Sequence, residues 1–236
     1  MSTSPSLIED VYTIINRHMP FTRWHDYSAH RLTKHGAGIY VQQHGIFTRH
    51  SRRAWAYVVA QCPEVEVRRF IVKENLYEEE GIEATSHYNS LARMGIAVGL
   101  TKQEIDQAVA LPSTRAALLI WETLTKDRHW LIGCAAKGTL EQNAMPEVGR
   151  TNFVQGNAWM NQLGLSREDV DFWLVHDELD RVHGSGNLNF VDKYLPHCPE
   201  VSREDVLTAA EDSIYAFTVF WNGIADAAEA REKVMA

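Results

Sequence analysis

The sequence lacks the features that mark membrane and secreted proteins. No apolar run reaches the roughly 18 residues that a membrane span needs, because charged residues or glycine interrupt each candidate. The first ten residues, MSTSPSLIED, have neither the basic start nor the apolar centre of a secretory signal. We therefore expect a cytoplasmic protein without a membrane partner.

Cysteine and positive charge are also scarce. The chain has three cysteines, Cys62, Cys134 and Cys198. An odd number of cysteines without the spacing of a metal site fits a protein in a reducing compartment. The chain has 23 Lys and Arg against 31 Asp and Glu, a net charge of −8, and its basic residues group only between Arg49 and Arg53. Because nucleic-acid binding relies on basic surfaces, no nucleic-acid partner is expected.

Alternating, strand-like runs are rare, and helical periodicity dominates the chain. Ser/Thr-x-x-acid boxes, which start helices, occur at residues 101–104, 166–169 and 202–205. Breaks at glycine and proline, including one at Gly184–Gly186, delimit the segments. The predicted helices cover 6–17, 29–61, 64–80, 84–98, 101–110, 113–142 (with a split near Asp127), 147–163, 166–184 and 201–231. No repeat or linker divides them, so residues 1–236 are predicted to form a single all-α, bundle-like domain.

The most informative motif is the H-x3-D-x2-H run of His176, Asp180 and His183. At about 100° per residue, offsets of zero, four and seven lie within about 60° of one another on a helix. Two imidazoles and a carboxylate therefore share one stripe, a donor set that suits divalent iron or manganese. The motif predicts a metal site.

One helix face cannot complete a site for two metal ions, so further carboxylates are needed. The chain contains no Glu-x-x-His pair, which disfavours a ferritin-type site. Candidates are the acidic run Glu78–Glu80, the following His87, and Glu141 at the end of a largely apolar stretch. Taken alone, the acidic run also fits a solvated turn, and His87 also fits an ordinary surface or core histidine.

The order of these parts resembles the haem-oxygenase-like diiron oxidases and oxygenases, whose all-α scaffold is shared with thiaminase II and pyrroloquinoline-quinone synthase. The family pattern N-L-x-D/E-E followed by His is matched by residues 75–79 and His87. A lone Glu and H-x3-D-x2-H then follow in the family's order. Carried over position by position, the resemblance implies metal ligands at Glu79, His87, Glu141, His176, Asp180 and His183.

The resemblance also implies a cofactor and a class of reaction. The cofactor is two Fe ions, with Mn as the alternative at one position. The substrates are O2 and a free amino acid or a small molecule derived from one, in a biosynthetic pathway. The outcomes known in the family are N-oxygenation, C–C cleavage, desaturation and nitrile formation. An external reductant and a homodimeric assembly belong to the same set of expectations.

The choice between Glu79 and Glu80 depends on local structure. Glu80 lies seven residues before His87, which would place both on one face of an uninterrupted helix. Gly81 is expected to interrupt that helix, so the family pattern favours Glu79.

The substrate pocket is predicted from helical spacing. Tyr40, His44 and Phe47 stand at offsets of zero, four and seven on the helix before the first ligand. His44 is the candidate catalytic residue, because an imidazole near a metal can orient substrate or move protons. The other candidate pocket residues are Tyr40, Phe47, Val72 and Leu76, and Trp24 could join them. Alternatively, the apolar residues among these could simply pack in the hydrophobic core.

Two other readings of the sequence remain open. A metal-free hydrolase of the thiaminase II type would use Cys134 as its nucleophile, and a non-catalytic helical protein would only bind the metal. Within the diiron family, the self-sacrificing para-aminobenzoate synthases carry a lysine ten residues after the lone Glu. Thr151 stands there, and Lys137 comes too early in the chain, so we expect an external substrate.

Overall fold

The structure is a computed structural model. Its backbone is described for residues 6–19, 22–81, 86–145 and 152–235. Within those ranges, the side chains of 78, 80, 144, 152–153, 175–184 and 234–235 fall outside the description.

The described backbone is all-α, as predicted. Its helices are α1 (Leu7–His18), α2 (Arg23–His30), α3 (Lys34–Gln61), α4 (Val65–Phe70), α5 (Tyr77–Glu80), α6 (His87–Ala97), α7 (Lys102–Asp106), α8 (Pro112–Lys126), α9 (Trp130–Glu141), α10 (Asn152–Leu163), α11 (Asp171–Tyr194) and α12 (Arg203–Met235). A π-helical turn, Ile71–Leu76, joins α4 to α5, and 3-10 turns follow α9 and α11.

Local sequence accounts for several helix ends. The boxes at Thr101 and Ser202 cap α7 and α12, each with the serine or threonine oxygen accepting a backbone N–H three residues on. The equivalent bonds form at Ser166, but a turn precedes α11 there. Gly81 stops α5 with a φ of 67°, a left-handed conformation that favours glycine, as expected.

Several predicted boundaries are wrong. Helix α7 ends at Asp106 rather than at residue 110, and α11 begins at Asp171 rather than at residue 166. The stretch 23–30 forms helix α2, which the periodicity did not indicate, and the predicted helix at 29–61 begins only at Lys34. The break at Gly184–Gly186 is absent, because α11 continues to Tyr194. A Cβ on Gly186 would lie 2.2 Å from Cζ of Phe70, so this glycine allows close packing of α11 on α4.

Helix α9 lies at the centre of the bundle and packs along α11, α12 and α8. Every residue from Trp130 to Leu140 is buried, as in a helix enclosed by neighbours on all sides. The oxygen of Ser213 on α12 donates to the Ala136 carbonyl at 2.8 Å and accepts from the Trp121 indole at 3.1 Å. These bonds fix α8, α9 and α12 relative to one another.

Aromatic residues fill the core beside α3. The Tyr40 ring lies between four indoles, with centroid distances of 4.9 Å to Trp24, 5.5 Å to Trp159, 5.1 Å to Trp173 and 5.9 Å to Trp221. These rings come from α2, α10, α11 and α12, so one cluster ties five helices together. No helix in the described ranges is long and apolar enough to cross a bilayer.

Gly133 sets the separation of α9 from α3. A Cβ there would lie 2.6 Å from Cγ2 of the buried Val58. We predict that Gly133→Ala lowers the free energy of unfolding by about 1–2 kcal/mol, because overpacking outweighs the helix-propensity gain of about 1 kcal/mol. Urea unfolding measures this difference. The matched control is Gly38→Ala, whose Cβ would meet Leu100 at an ordinary 3.4 Å; equal destabilisation of the two variants would contradict the packing argument.

Candidate metal centre

Glu79 and His87 form a buried pair across the connection from α5 to α6. Oε2 of Glu79 lies 3.5 Å from Nδ1 of His87, and their side chains are 10% and 18% exposed. Burial raises the pKa of Glu79, but hydrogen bonds from His87 and Ser51 and the charges of His87 and Lys137 bring it below its usual value. The carboxylate is therefore held as an anion inside the protein.

Glu141, the last residue of α9, is joined to this region by buried amides. Asn75 in the π-helical turn donates from Nδ2 to Oε1 of Glu141 at 3.1 Å. Asn187 on α11 donates from Nδ2 to Oδ1 of Asn75 at 3.3 Å. Asn75 lies one turn before Glu79. Its side chain therefore connects the segment that carries Glu79 to α9, the helix that carries Glu141.

The H-x3-D-x2-H run lies within α11, as its spacing predicted. The side chains of His176, Asp180 and His183 lie outside the described residues. The helix that carries them packs against α9 and α6, the helices that carry Glu141 and His87. Asn187, one turn after His183, contacts the π-helical turn directly.

Glu80 remains the alternative to Glu79. Its side chain also lies outside the described part, whereas Glu79 is buried and within reach of His87. The positive φ of Gly81 confirms the helix interruption on which the choice of Glu79 rested.

Lys137 is a buried basic residue of α9. Nζ donates to Oγ of Ser51 at 2.7 Å, and it lies 5.6 Å from the Phe47 ring centroid and 5.1 Å from that of Trp55. Burial lowers the pKa of Lys137, while the charges of Glu141 and Glu79 act in the opposite direction. A charged residue inside the apolar run Trp130–Leu140 was the available sequence signal for this position.

His44 is buried beside the pair, among aromatic rings. Its ring centroid lies 4.9 Å from Tyr40, 5.2 Å from Phe47, 5.3 Å from Phe172 and 6.1 Å from Phe220. Burial lowers the pKa of His44 to about 3, partly countered by Glu79 and reinforced by His87. The imidazole is therefore neutral near pH 7, and its Nδ1 has no hydrogen-bond partner among the described residues.

The predicted pocket residues divide into two groups. Tyr40, His44 and Phe47 adjoin one another as their spacing predicted, and Trp24 stacks on Tyr40. Val72 does not belong to this cluster: it is 48% exposed, because it lies on the outer side of the π-helical turn.

Leu76 is half-buried and lines a surface cleft of about 810 Å³ that also contains arginine side chains. The cleft is formed mainly by α3, and its walls contain Ile46, Arg49, His50, Arg52, Arg53, Ala56, Leu76 and Leu118.

The environment of Cys134 does not suit a nucleophile. The thiol is fully buried, and burial raises its pKa well above the ordinary value, with smaller contributions from Cys62 and Glu141. Reactive cysteines have lowered pKa values and positive neighbours. Cys134 therefore has the properties of a small core residue.

A second group of potential ligands lies at the far end of α9. Ligand atoms of His129, Cys198 and Glu200 come within 4.8 Å of one another. The Leu131 N–H donates to Nδ1 of His129 at 3.3 Å, so the ring proton is on Nε2, 3.4 Å from the Glu200 carboxylate. A metal-bound imidazole donates through its other nitrogen. This ring instead accepts there, and we assign no metal to the cluster.

The residues near Glu79 fit a divalent metal by their chemistry. The Glu79 carboxylate and the His87 imidazole lie side by side, and Asn75, one turn before Glu79, donates to a second carboxylate, that of Glu141. Oxygen and imidazole nitrogen ligands of this kind suit iron and manganese.

Comparison with known proteins agrees with the fold and with this chemistry. Residues 39–217 match the model of a family described as iron-containing redox enzymes. A search of curated protein sequences gives no significant match.

Two solved structures share the architecture. One is a domain of unknown function with a haem-oxygenase-like fold from Shewanella denitrificans OS217, with a TM-score of 0.71 and 15% identity, covering 97% of this chain and 93% of its own. The other is a TenA homologue from Pseudomonas syringae pv. tomato DC3000, with a TM-score of 0.70 and 14% identity, covering 93% and 91%. At these identities the likeness shows the fold alone.

The family match covers most of the chain, including all six candidate ligand positions, and the structural matches extend over nearly its full length. The haem-oxygenase-like helical fold predicted from the sequence is confirmed. The chain therefore belongs to the family of iron-containing redox enzymes.

Proposed function

We propose that this protein is a non-haem diiron enzyme that uses O2 to oxidise a free amino acid or a small molecule derived from one. The Glu79–His87 pair carries the proposal: Glu79 lies one turn after Asn75, which donates to Glu141, and α6, α9 and the π-helical turn all pack against α11. The proposed ligands are Glu79, His87, Glu141, His176, Asp180 and His183. A homodimer, an external reductant and a biosynthetic role are parts of the same proposal.

Two ferrous ions, when bound, supply electrons to O2 as a pair and provide open positions where it can bind. The protein's own contribution begins with charge. Three carboxylates nearly balance four positive charges, which allows the ions to be held in a largely apolar interior. Asn75 holds Glu141 by a hydrogen bond, so this ligand is oriented before any ion arrives.

The residues around His44 provide a dry, aromatic boundary for the site. Tyr40, Phe47, Phe172 and Phe220 surround the imidazole and exclude water from it. A neutral ring whose Nδ1 has no hydrogen-bond partner among the described residues can accept a hydrogen bond from a bound amine or amino acid. We assign His44 this role toward substrate.

A metal-free hydrolase is the weaker alternative. The TenA homologue shares the fold, but the buried Cys134 lacks the lowered pKa that a thiol nucleophile needs. A protein that binds metal without catalysis is the other alternative, and oxygen uptake distinguishes it from the proposed enzyme.

The ligand assignment predicts how iron content responds to substitution. After anaerobic loading with Fe2+ and removal of excess metal, the native protein should retain two ions per chain. Glu79→Gln and Glu141→Gln should each lose at least one, because an amide supplies no negative charge. Metal analysis measures this. Glu80→Gln is the matched control and should keep both; loss of iron in Glu80→Gln with retention in Glu79→Gln would make Glu80 the ligand.

The proposed activity predicts substrate-dependent oxygen consumption. Amino acids and related amines are added singly to the iron-loaded protein, and O2 uptake is followed with an electrode. At least one compound should raise uptake well above the rate of the iron-loaded protein alone, and Cys134→Ala should behave like the native enzyme. Full iron loading without stimulation by any candidate would favour a metal-binding protein instead.

His44 provides a separate test of the substrate site. We predict that His44→Phe keeps both iron ions but lowers substrate-dependent O2 uptake by about tenfold, the size expected for loss of a hydrogen bond of about 1–1.5 kcal/mol that positions the substrate. Because the native His44 ring is neutral above about pH 4, the pH profile of O2 uptake by the native enzyme should show no ionisation of His44 between pH 5 and 8. An unchanged rate in His44→Phe would remove this residue from the mechanism.

A further inference from the structure

Lys137 has an environment that packing alone does not explain. It is 4% exposed, in a helix whose other residues from Trp130 to Leu140 are buried and mostly apolar. An unpaired ammonium in such a place costs several kcal/mol, so a buried lysine needs opposite charge nearby. The ammonium donates a hydrogen bond to a neutral group, the hydroxyl of Ser51.

The opposite charge comes from the candidate metal ligands. Lys137 stands one turn before Glu141 on α9, so the two side chains share a helix face. Ser51 hydrogen-bonds both to Lys137 and to Glu79, and thereby connects the ammonium to the first carboxylate. The rings of Phe47 and Trp55 cover the ammonium on its remaining sides.

The other charged groups around Lys137 are on α3 and α8. His50 is buried, and burial together with the charges of Lys137 and Arg53 lowers its pKa to about 4. Glu122 lies 3.9 Å from the His50 ring and is part-exposed. The neighbouring imidazole is therefore neutral near pH 7, and it neither balances nor adds to the lysine charge.

We propose that Lys137 is an internal counter-charge for the metal centre, which balances Glu79 and Glu141 while no cation is bound and opposes cations when they bind. The inference rests on the proposed function, since it assumes that these two carboxylates are metal ligands. Lys137 is a positioning residue in this scheme, acting on the carboxylates directly by charge and on Glu79 through Ser51.

The direction of the effect follows from the charges. Without metal, the carboxylates of Glu79 and Glu141 act on Lys137, and the ammonium offsets one of their two negative charges. With two divalent ions bound, the three proposed carboxylate ligands would leave one surplus positive charge, and the ammonium would add a second. Removing Lys137 therefore destabilises the metal-free protein and strengthens metal binding, two effects with opposite signs.

Lys137→Met tests this, because methionine has similar length and packs well against Phe47 and Trp55. We use Mn2+, which is stable in air, as the probe. The measurements are the melting temperature of the metal-free protein and the dissociation constant for Mn2+ by chelator competition. Lys137→Met should lower the melting temperature by several degrees and tighten Mn2+ binding about tenfold.

Three further variants complete the experiment. Lys137→Gln is a second neutral replacement that should repeat both effects if the methionine variant does not fold. Lys137→Arg keeps the charge and should restore Mn2+ affinity to near the native value. Lys126→Met, on the partly exposed end of α8, is the control for loss of a lysine elsewhere and should change neither measurement.

The outcomes separate this inference from the proposed function. A native protein that binds no Mn2+ or Fe2+ overturns the proposed function itself. Native binding with unchanged or weaker affinity in both neutral variants overturns the counter-charge role alone. A melting temperature that does not fall in the metal-free neutral variants also overturns it, because the lysine would then balance no buried charge.

Discussion

The arrangement of the site depends on two buried asparagines. Asn75 donates to Glu141 and accepts from Asn187, so the π-helical turn, α9 and α11 are joined by consecutive hydrogen bonds. Buried amides are costly unless they are bonded, and this requirement fixes the relative positions of the three elements. The two links place Glu79 and the H-x3-D-x2-H segment each one turn from a bonded asparagine. Elements that carry the proposed ligands, from distant parts of the sequence, are thereby held next to one another.

Charge is the second constraint on this region. The protein places carboxylates inside an aromatic and aliphatic bundle, where each would be unstable alone. His87, Ser51 and Lys137 reduce that cost around Glu79, and Asn75 does so for Glu141. In the proposed metal centre the same carboxylates attract the divalent ions. The stability of the metal-free protein and its affinity for metal would then depend on the same few side chains.

The sequence predicted much of the fold because helical periodicity and capping boxes are local. Gly81 was correctly expected to end a helix, but Gly186 was not distinguishable from a helix-ending glycine. Residue 186 is a glycine because the Phe70 ring approaches it closely, and this is a tertiary contact. The candidate ligands were found by spacing and family resemblance. The link from Lys137 through Ser51 to Glu79 could not be found in this way, because residues on α9 and α3 meet only after folding.

The most direct test of a two-metal centre is anomalous X-ray diffraction at the iron edge from crystals grown anaerobically with Fe2+. The account predicts two iron peaks about 4 Å apart, one within bonding distance of Glu79 and His87 and both within reach of Glu141 and α11. No peak in this region, or iron only at the cluster of His129, Cys198 and Glu200, would contradict it.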